Sequence, residues 1–169
     1  MYFRELSTSD IPALQQWVCT YPAKRHYHTA SHPAEWELKV QSFVRETQPQ
    51  KIARDPYKVS IGAFLEKQIA AAALITYRPY DDVFDITYIS TAAHAQNQGI
   101  AQQLIQQCVI TAQEHPKFKD LTSDIMTCAI DRRNTKSQRA FERFGFILVD
   151  DSHPQLLEYA LRFMRGLLE

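Results

Sequence analysis

The chain has 169 residues, with 19 basic side chains balanced by 19 acidic ones and a pI near 7, so no net field draws in a nucleic acid or an anionic membrane. Its longest uninterrupted apolar run, Ile69 to Ile75, is far short of the roughly 20 residues that a membrane-spanning helix needs. The N-terminus, MYFRELSTSD, has no charged-then-apolar signal region, which predicts a soluble, cytoplasmic protein of one domain, residues 1–169.

In chain order, Tyr2 to Leu6 reads as a short strand. Ser9 or Asp10 then caps a helix with Pro12 in its first turn and Ile11, Leu14 and Val18 on one face. TYPAKRHYHTASHP is a loop holding His26, His28 and His32; Pro33 opens a second helix on which Trp36, Val40, Phe43 and Val44 keep helical spacing, and Gln48-Pro49 ends it. From Lys58 the period changes to that of strands. KVSIGAFL, IAAAALITY and VFDITYIST, separated by Glu66-Lys67-Gln68 and by Pro79 to Asp82, predict three consecutive antiparallel strands.

A helix follows with Ile100, Leu104, Ile105, Cys108, Val109 and Ala112 on one face, stopped by Pro116. IMTCAI is a short buried strand, and NTKSQRAFERFGF is a helix with Gly145 as its left-handed cap. FILV is another strand, and LEYALRF alternates as a half-buried last one. Cys19, Cys108 and Cys128 are widely spaced and odd in number, which argues against a disulfide framework or a Cys-x-x-Cys metal site; Cys108 and Cys128 read as small core residues. The order β-α-α-β-β-β-α-β-α-β-β predicts an α+β (mixed α/β) single domain, with a central, mostly antiparallel sheet and helices on both faces.

Gly99 is one of four glycines, and it stands between a strand and a long helix. That junction gathers unpaired backbone N–H groups and the positive end of a helix dipole, so a residue without Cβ lets an anion approach bare amides, helped by small Ala101. Turn geometry alone is an equal reason for a glycine at that point.

QNQGIA, Gln96 to Ala101, resembles the Q/R-x-x-G-x-G/A pyrophosphate loop of the GCN5-related N-acetyltransferases (GNAT). NTKSQRAFERFGF, Asn134 to Phe146, is similar to that family's second element, an Asn followed by a short helix ending in Gly-Phe. The strands around both match the family's order over nearly the whole chain. The resemblance implies acetyl-CoA as cofactor and direct acyl transfer to a primary amine of a small molecule or peptide.

It further implies that backbone groups of Ile89, Ser90 and Thr91 pair with the pantetheine arm. The loop Gln96, Asn97, Gln98, Gly99, Ile100, Ala101 and Gln102 would hold the pyrophosphate, and Asn134, Ser137 and Phe141 would lie along the arm, Asn134 serving equally as a plain helix cap. The backbone N–H of Ile89 would stabilise the oxyanion. Asp85 stands eleven residues before Gln96, where histone-acetylating relatives carry a glutamate base; it is either that base or a solvated strand-end carboxylate. By alternation Asp85 shares a face with Thr87, Ile89 and Thr91.

Many members carry a tyrosine general acid where this chain has Phe141, which cannot donate a proton. Tyr88, Tyr159 or water are the alternatives. His94 lies near the loop, either exposed or touching phosphate or substrate. His26, His28 and His32 have metal-like spacing with only Glu35 to complete a set, so a solvated or substrate-lining loop is expected and no metal. Lys24 to His32 and Trp36 would form the acceptor side, Trp36 being equally a simple core residue by its spacing, with Tyr77, Tyr80, Asp81 and Asp82 as an opposite wall or merely a charged hairpin tip. The last strand and the tail RGLLE either pair in a homodimer or close a monomer's core. Besides an enzyme, the same fold suits a CoA-binding sensor without turnover, or a phosphate-binding module for another nucleotide.

Overall fold

The computed structural model describes residues 1–20 and 34–164. Lys24 to His32, Pro33 and the tail RGLLE lie outside the described residues, so the readings placed on them, the three histidines included, stay as expectations.

The elements are β1 (Tyr2–Glu5), α1 (Ile11–Gln15), α2 (Glu35–Arg45), α3 (Pro49–Arg54), β2 (Lys58–Leu65), β3 (Gln68–Arg78), β4 (Val83–Thr91), α4 (Ile100–Glu114), β5 (Ile125–Asp131), α5 (Thr135–Phe144), β6 (Ile147–Asp150) and β7 (Leu156–Arg162). They build one seven-stranded sheet in the order β1-β2-β3-β4-β5-β7-β6, antiparallel throughout except for the β4–β5 pair. Fold class, strand order and helix order follow the sequence pattern, with three local differences.

Pro49 does not end the second helix; it opens α3, because a residue without N–H and with a fixed φ suits the first helical position. The first helix is shorter than its apolar spacing suggests. Asp10 stands at the N-cap position of α1, one of the two residues expected there, but makes no side-chain cap bond; a 3-10 turn over Thr8–Asp10, capped by Ser7 with its N–H donating to Asp10 Oδ2 at 2.7 Å, precedes the helix, and α1 stops at Gln15. Asp10 is also gripped by Arg4 at 2.7 and 2.8 Å, which ties the turn to β1. The third difference concerns β7, which is hydrogen-bonded to β5 on one side and β6 on the other, so this last strand is not available to pair across a dimer. The sheet ends instead at β6, where Ile147, Leu148 and Val149 are exposed.

Register assigns the helices to faces. Thr76 opposes Asp85 and Leu74 opposes Tyr88 on one face, while Ile75 opposes Ile86 and Ala73 opposes Ile89 on the other. The first face carries α1 and α2: Tyr88 Oη meets Thr47 Oγ1 just past α2, and Trp17 Nε1 donates to Ser90 Oγ at 3.0 Å. Behind the second, Phe84 packs edge-on against Phe118, just past α4, with ring centroids 5.1 Å apart. Leu104, Ile105, Cys108 and Ala112 of α4 are buried against that face together with Ile75, Ala73 and Phe84. Lys117 closes the bottom of the fold, its ammonium donating to the carbonyls of Ile52, Asp55 and Lys58 at 2.8 Å each.

Candidate functional site

β4 and β5 pair only at Phe84–Met126 and Asp85–Thr127, and then separate. Beyond those pairs lies a cleft of about 420 Å³, bounded by Ile86 to Ile89 of β4, Cys128 to Asp131 of β5, α2 on one face and α5 on the other. It therefore perforates the sheet.

At the far end of β4 the chain turns into α4. Asn97 and Gly99 both adopt left-handed backbone, with φ of 61° and 73°, and a Cβ built on Gly99 would meet nothing within 4 Å. Asn97, Gln98 and Gly99 are exposed. Among the described residues, the N–H groups of Asn97 through Gln102 have no protein acceptor; the first helical bond of α4 is Gln103 N–H to Gly99 C=O at 3.4 Å. Such a row of free amides on a helix start is a hollow for a phosphate. Two side chains of the loop serve as struts. Gln96 Nε2 donates to Cys19 C=O at 2.6 Å and, more weakly, to Thr91 C=O at 3.4 Å, whereas Gln102 Nε2 donates to Ala140 C=O at 2.7 Å and so sets the loop beside α5. Ile100 is buried and anchors the helix start, and Ala101 is half-buried.

Along β4, the Ala92 N–H donates to Ala70 C=O at 2.8 Å. By the two-residue period of an extended strand, Ser90 also turns its backbone to β3, while Ile89 and Thr91 turn theirs to the open side. The expected use of all three backbones thus narrows to Ile89 and Thr91. Asn134 caps α5: its Oδ1 accepts from Ser137 N–H at 3.2 Å and its Nδ2 donates to Ser137 Oγ at 3.1 Å. Both residues still line the cleft, as does Phe141, which is braced edge-on by Phe146 at 4.9 Å.

Asp85 departs from simple alternation. The ladder shifts between Leu74 and Ile75, leaving Thr87 as an extra residue in β4, so Asp85 shares its face with Tyr88 and Ser90, not with Ile89 and Thr91. It sits where β4 and β5 still pair, its oxygens accepting from Thr127 Oγ1 at 3.1 Å and Thr87 Oγ1 at 3.2 Å. Burial lifts its pKa above the usual carboxylate range, although nearby Arg78 and the two hydroxyls pull it down. Asp85 is not part of the cleft wall; Thr87 is.

Of the two tyrosines, only Tyr88 reaches the cleft. Tyr159 points to Glu142, donating to Oε1 at 3.1 Å on the far side of β5. Burial pushes the Tyr88 phenol up to about 12. Thr47 Oγ1 donates its single hydrogen to Phe43 C=O at 3.0 Å, so in the Tyr88–Thr47 contact the phenol is the donor. Its proton is directed away from the cleft.

The apolar stripe of α2, of which only Trp36 is expected near an acceptor from the sequence, lines the cleft. Trp36, Val40 and Phe43 are not core but wall; only Gln41 and Val44 of that helix are fully buried. Cys128, expected in the core, forms part of the cleft floor, and burial raises its thiol. Arg133 crosses the mouth, paired with Asp131 at 2.8 Å, 3.7 Å from Glu35, and stacked over Trp36 with 4.9 Å to the ring centroid. His153 and Gln155 of the β6–β7 loop and Leu156 at the start of β7 complete the lining, which no spacing in the sequence links to the rest. Tyr77, Tyr80, Asp81 and Asp82 do not reach the cleft. Tyr77 is buried and donates to Asp82 at 2.8 Å, Asp81 pairs with Arg78 at 3.3 Å, and Tyr80 is fully exposed, as in an ordinary hairpin tip. His94 is exposed beside a separate open hollow of about 740 Å³ between α1 and the β2–β3 turn. Among the described residues no cluster of metal-binding side chains is found, and no helix is long and apolar enough to cross a membrane.

No curated protein sequence matches the chain. Solved structures do, at low identity. PaiA N-acetyltransferase from Thermoplasma acidophilum, in complex with coenzyme A, is similar with a TM-score of 0.70 and 13% identity, over 96% of this chain and 98% of that one. The ribosomal-protein-S18-alanine N-acetyltransferase from Escherichia coli gives a TM-score of 0.62 and 15% identity, over 99% and 97%. RimL, a ribosomal L7/L12 alpha-N-protein acetyltransferase in complex with coenzyme A, gives 0.67 and 16%, over 95% and 93%. At such identities the likeness concerns the fold. The family model of the acetyltransferase (GNAT) domain matches residues 1–147, most of the chain, and on that match the protein belongs to the GNAT acetyltransferase family.

Proposed function

We propose that the protein is an acetyl-CoA-dependent N-acetyltransferase, which transfers acetyl directly to a primary amine of a small molecule or peptide in a ternary complex. The observation that carries this is the gap between β4 and β5, with free amides of the Gly99 loop at its head. The residues fit the group: the amides from Asn97 to Gln102 suit a pyrophosphate, and Gly99 leaves the space that a phosphate oxygen needs. Ile89 and the N–H of Thr91 are open to a pantetheine arm, the Thr91 C=O being weakly held by Gln96, with Asn134, Ser137 and Phe141 along its course.

Acetyl-CoA supplies a thioester carbonyl and a thiolate leaving group. Ile89 N–H, directed into the gap, stabilises negative charge growing on the carbonyl oxygen. An amine of pKa near 10 must shed a proton before it attacks. Asp85, held above the usual carboxylate range, takes that proton through the Thr87 hydroxyl that stands between it and the cleft. Phe141 supplies no acid and Tyr88 directs its proton to Thr47, so the thiolate, with a pKa near 8.5, departs to be protonated by water. Trp36, Val40 and Phe43 form the acceptor wall.

The missing tyrosine specifically favours a second reading, a CoA-binding sensor that does not turn over. Thermal melting with acetyl-CoA, ATP and NAD, followed by thiol release across a panel of amines and peptides, separates the two. Stabilisation by acetyl-CoA alone with release on one amine class supports the enzyme. Stabilisation without release on any acceptor supports the sensor, and no stabilisation by acetyl-CoA removes both.

A further inference from the structure

Asp131-Arg132-Arg133, at the end of β5, reaches in two directions. Arg132 is not in the cleft wall; it grips the β6–β7 loop instead. Its backbone N–H donates to Gln155 C=O at 3.0 Å, its Nε to His153 C=O at 3.0 Å, and its Nη2 to Asp151 C=O. A guanidinium carries its donors in a rigid planar fork, so one side chain serves two carbonyls at once, which a flexible ammonium does less well. The loop in turn folds on His153, whose Nδ1 accepts the N–H groups of Gln155 and Leu156 at 3.1 Å each. His153, Gln155 and Leu156 are thereby presented to the cleft by a residue that does not touch it.

Arg133 holds the other wall. Its Nε and Nη2 donate to the two oxygens of Asp131 at 2.9 and 2.8 Å, and the guanidinium fixed in this way lies over Trp36, 4.9 Å from the ring centroid, and 3.7 Å from Glu35. The start of α2 is thus tied to the same strand end as the β6–β7 loop. Hydrogen bonds from Arg133 keep the Asp131 carboxyl below its usual range, so the pair stays ionised wherever an amine can shed its proton. Gln138 of α5 braces the turn from behind, its Nε2 donating to the carbonyls of Asp131 at 3.2 Å and Arg132 at 2.9 Å. Exposed ion pairs add little to stability, so the use of these arginines lies in placement.

We propose that Arg132 and Arg133 are positioning residues, a clasp that fixes the β6–β7 loop and the start of α2 about the cleft mouth and so limits the size of the amine admitted. The clasp rests on the N-acetyltransferase reading above and deepens it, since acceptor choice then depends on a residue, Arg132, outside the acceptor's reach. Trp36 and His153 supply the surfaces, and the two arginines set where those surfaces stand.

The test has two arms. Hydrogen exchange of the unliganded protein, read over residues 151–156, should show the Gln155 and Leu156 amides exchanging about tenfold faster in Arg132→Ala, with Arg132→Lys in between because it reaches one carbonyl. Thiol release from acetyl-CoA is then followed with propylamine, phenethylamine, biphenylethylamine and two tripeptides beginning with alanine and tryptophan. Arg132→Ala should raise the acceptor KM about fivefold with kcat changed less than about twofold and acetyl-CoA affinity, by calorimetry, unaltered. Arg133→Ala, which removes the bar across the mouth, should raise the kcat/KM of biphenylethylamine relative to propylamine about fivefold. Unchanged exchange in Arg132→Ala, or an unchanged size ratio in Arg133→Ala, overturns the clasp. So does a fall in acetyl-CoA affinity in step with the acceptor KM, which would mark general loosening. If the wild type releases no thiol with any of these amines, the acetyltransferase reading falls and takes the acceptor role with it, while exchange alone still decides whether Arg132 holds the loop.

Discussion

Gly99 allows turn geometry and ligand approach to be separated by substitution. In Gly99→Ala the new methyl sits on left-handed backbone, φ 73°, which costs an alanine roughly 1 kcal/mol. No atom lies within 4 Å of the Cβ position, so no clash adds to that. Melting should therefore drop by only about 2–4 °C for a chain of this size. Binding should suffer more, because the methyl takes the space from which a phosphate reaches the amides. Losing two hydrogen bonds to a charged group, at about 1.5 kcal/mol each, weakens acetyl-CoA by roughly a hundredfold. Gly99→Asn is the discriminating variant. Asparagine tolerates this conformation, as Asn97 does two residues earlier with φ 61°, so stability should stay within about 0.5 kcal/mol of wild type while affinity still falls about a hundredfold. Melting curves and titration calorimetry read the two quantities independently. Wild-type affinity in Gly99→Asn would mean that the glycine serves the turn alone.

Lys117→Met removes three 2.8 Å bonds to carbonyls and should lower stability by about 3 kcal/mol, roughly 6–12 °C in melting; a shift under about 2 °C would show the lysine to be dispensable. For Asp85, burial raises the native pKa, so the fold favours the neutral acid: wild type holds its full contribution below the ordinary aspartate value of about 3.9 and loses stability as pH rises through it toward the raised native value. Asp85→Asn should match wild type near about pH 3 in chemical denaturation and exceed it progressively above about pH 4, whereas parallel curves would show no linkage. Tyr88→Phe should leave the alkaline limb of the kcat profile in place and lower kcat less than about tenfold, since the phenol proton belongs to Thr47; loss of that limb would identify Tyr88 as the acid. Trp36→Ala and Phe43→Ala should raise KM for the acceptor while acetyl-CoA affinity, by calorimetry, is unchanged.

Much of this was legible because it is local. Gly145 after Phe144 caps α5 with φ 114°, and the alternation in VFDITYIST predicts a strand that is there. What escaped depends on partners distant in the chain. Periodicity marks Trp36, Val40 and Phe43 as an apolar face but cannot say whether a neighbour covers it, and here a cleft lies opposite. Thr87 is invisible as an extra residue because a bulge lives in the ladder with β3, and it reverses which side of β4 Asp85 shares. Pro49 is a stop or a start depending on whether the residues after it can pack, and here α3 packs on β2 with Pro49 itself buried. Tyr88 and Tyr159 are indistinguishable by spacing; Thr47 and Glu142 tell them apart.

A gap that runs through a sheet has two mouths, and in this chain they are written in different stretches of sequence. The wall on the α2 side draws Glu35 to Phe43 from the first third, whereas Ile86 to Ile89, the Gly99 loop and Asn134 to Phe141 come later. On the proposed reading, substitutions in the first third can retune which amine is accepted without disturbing the nucleotide. On the same proposed reading the two substrates approach from opposite faces, so that neither has to wait for the other to clear its path.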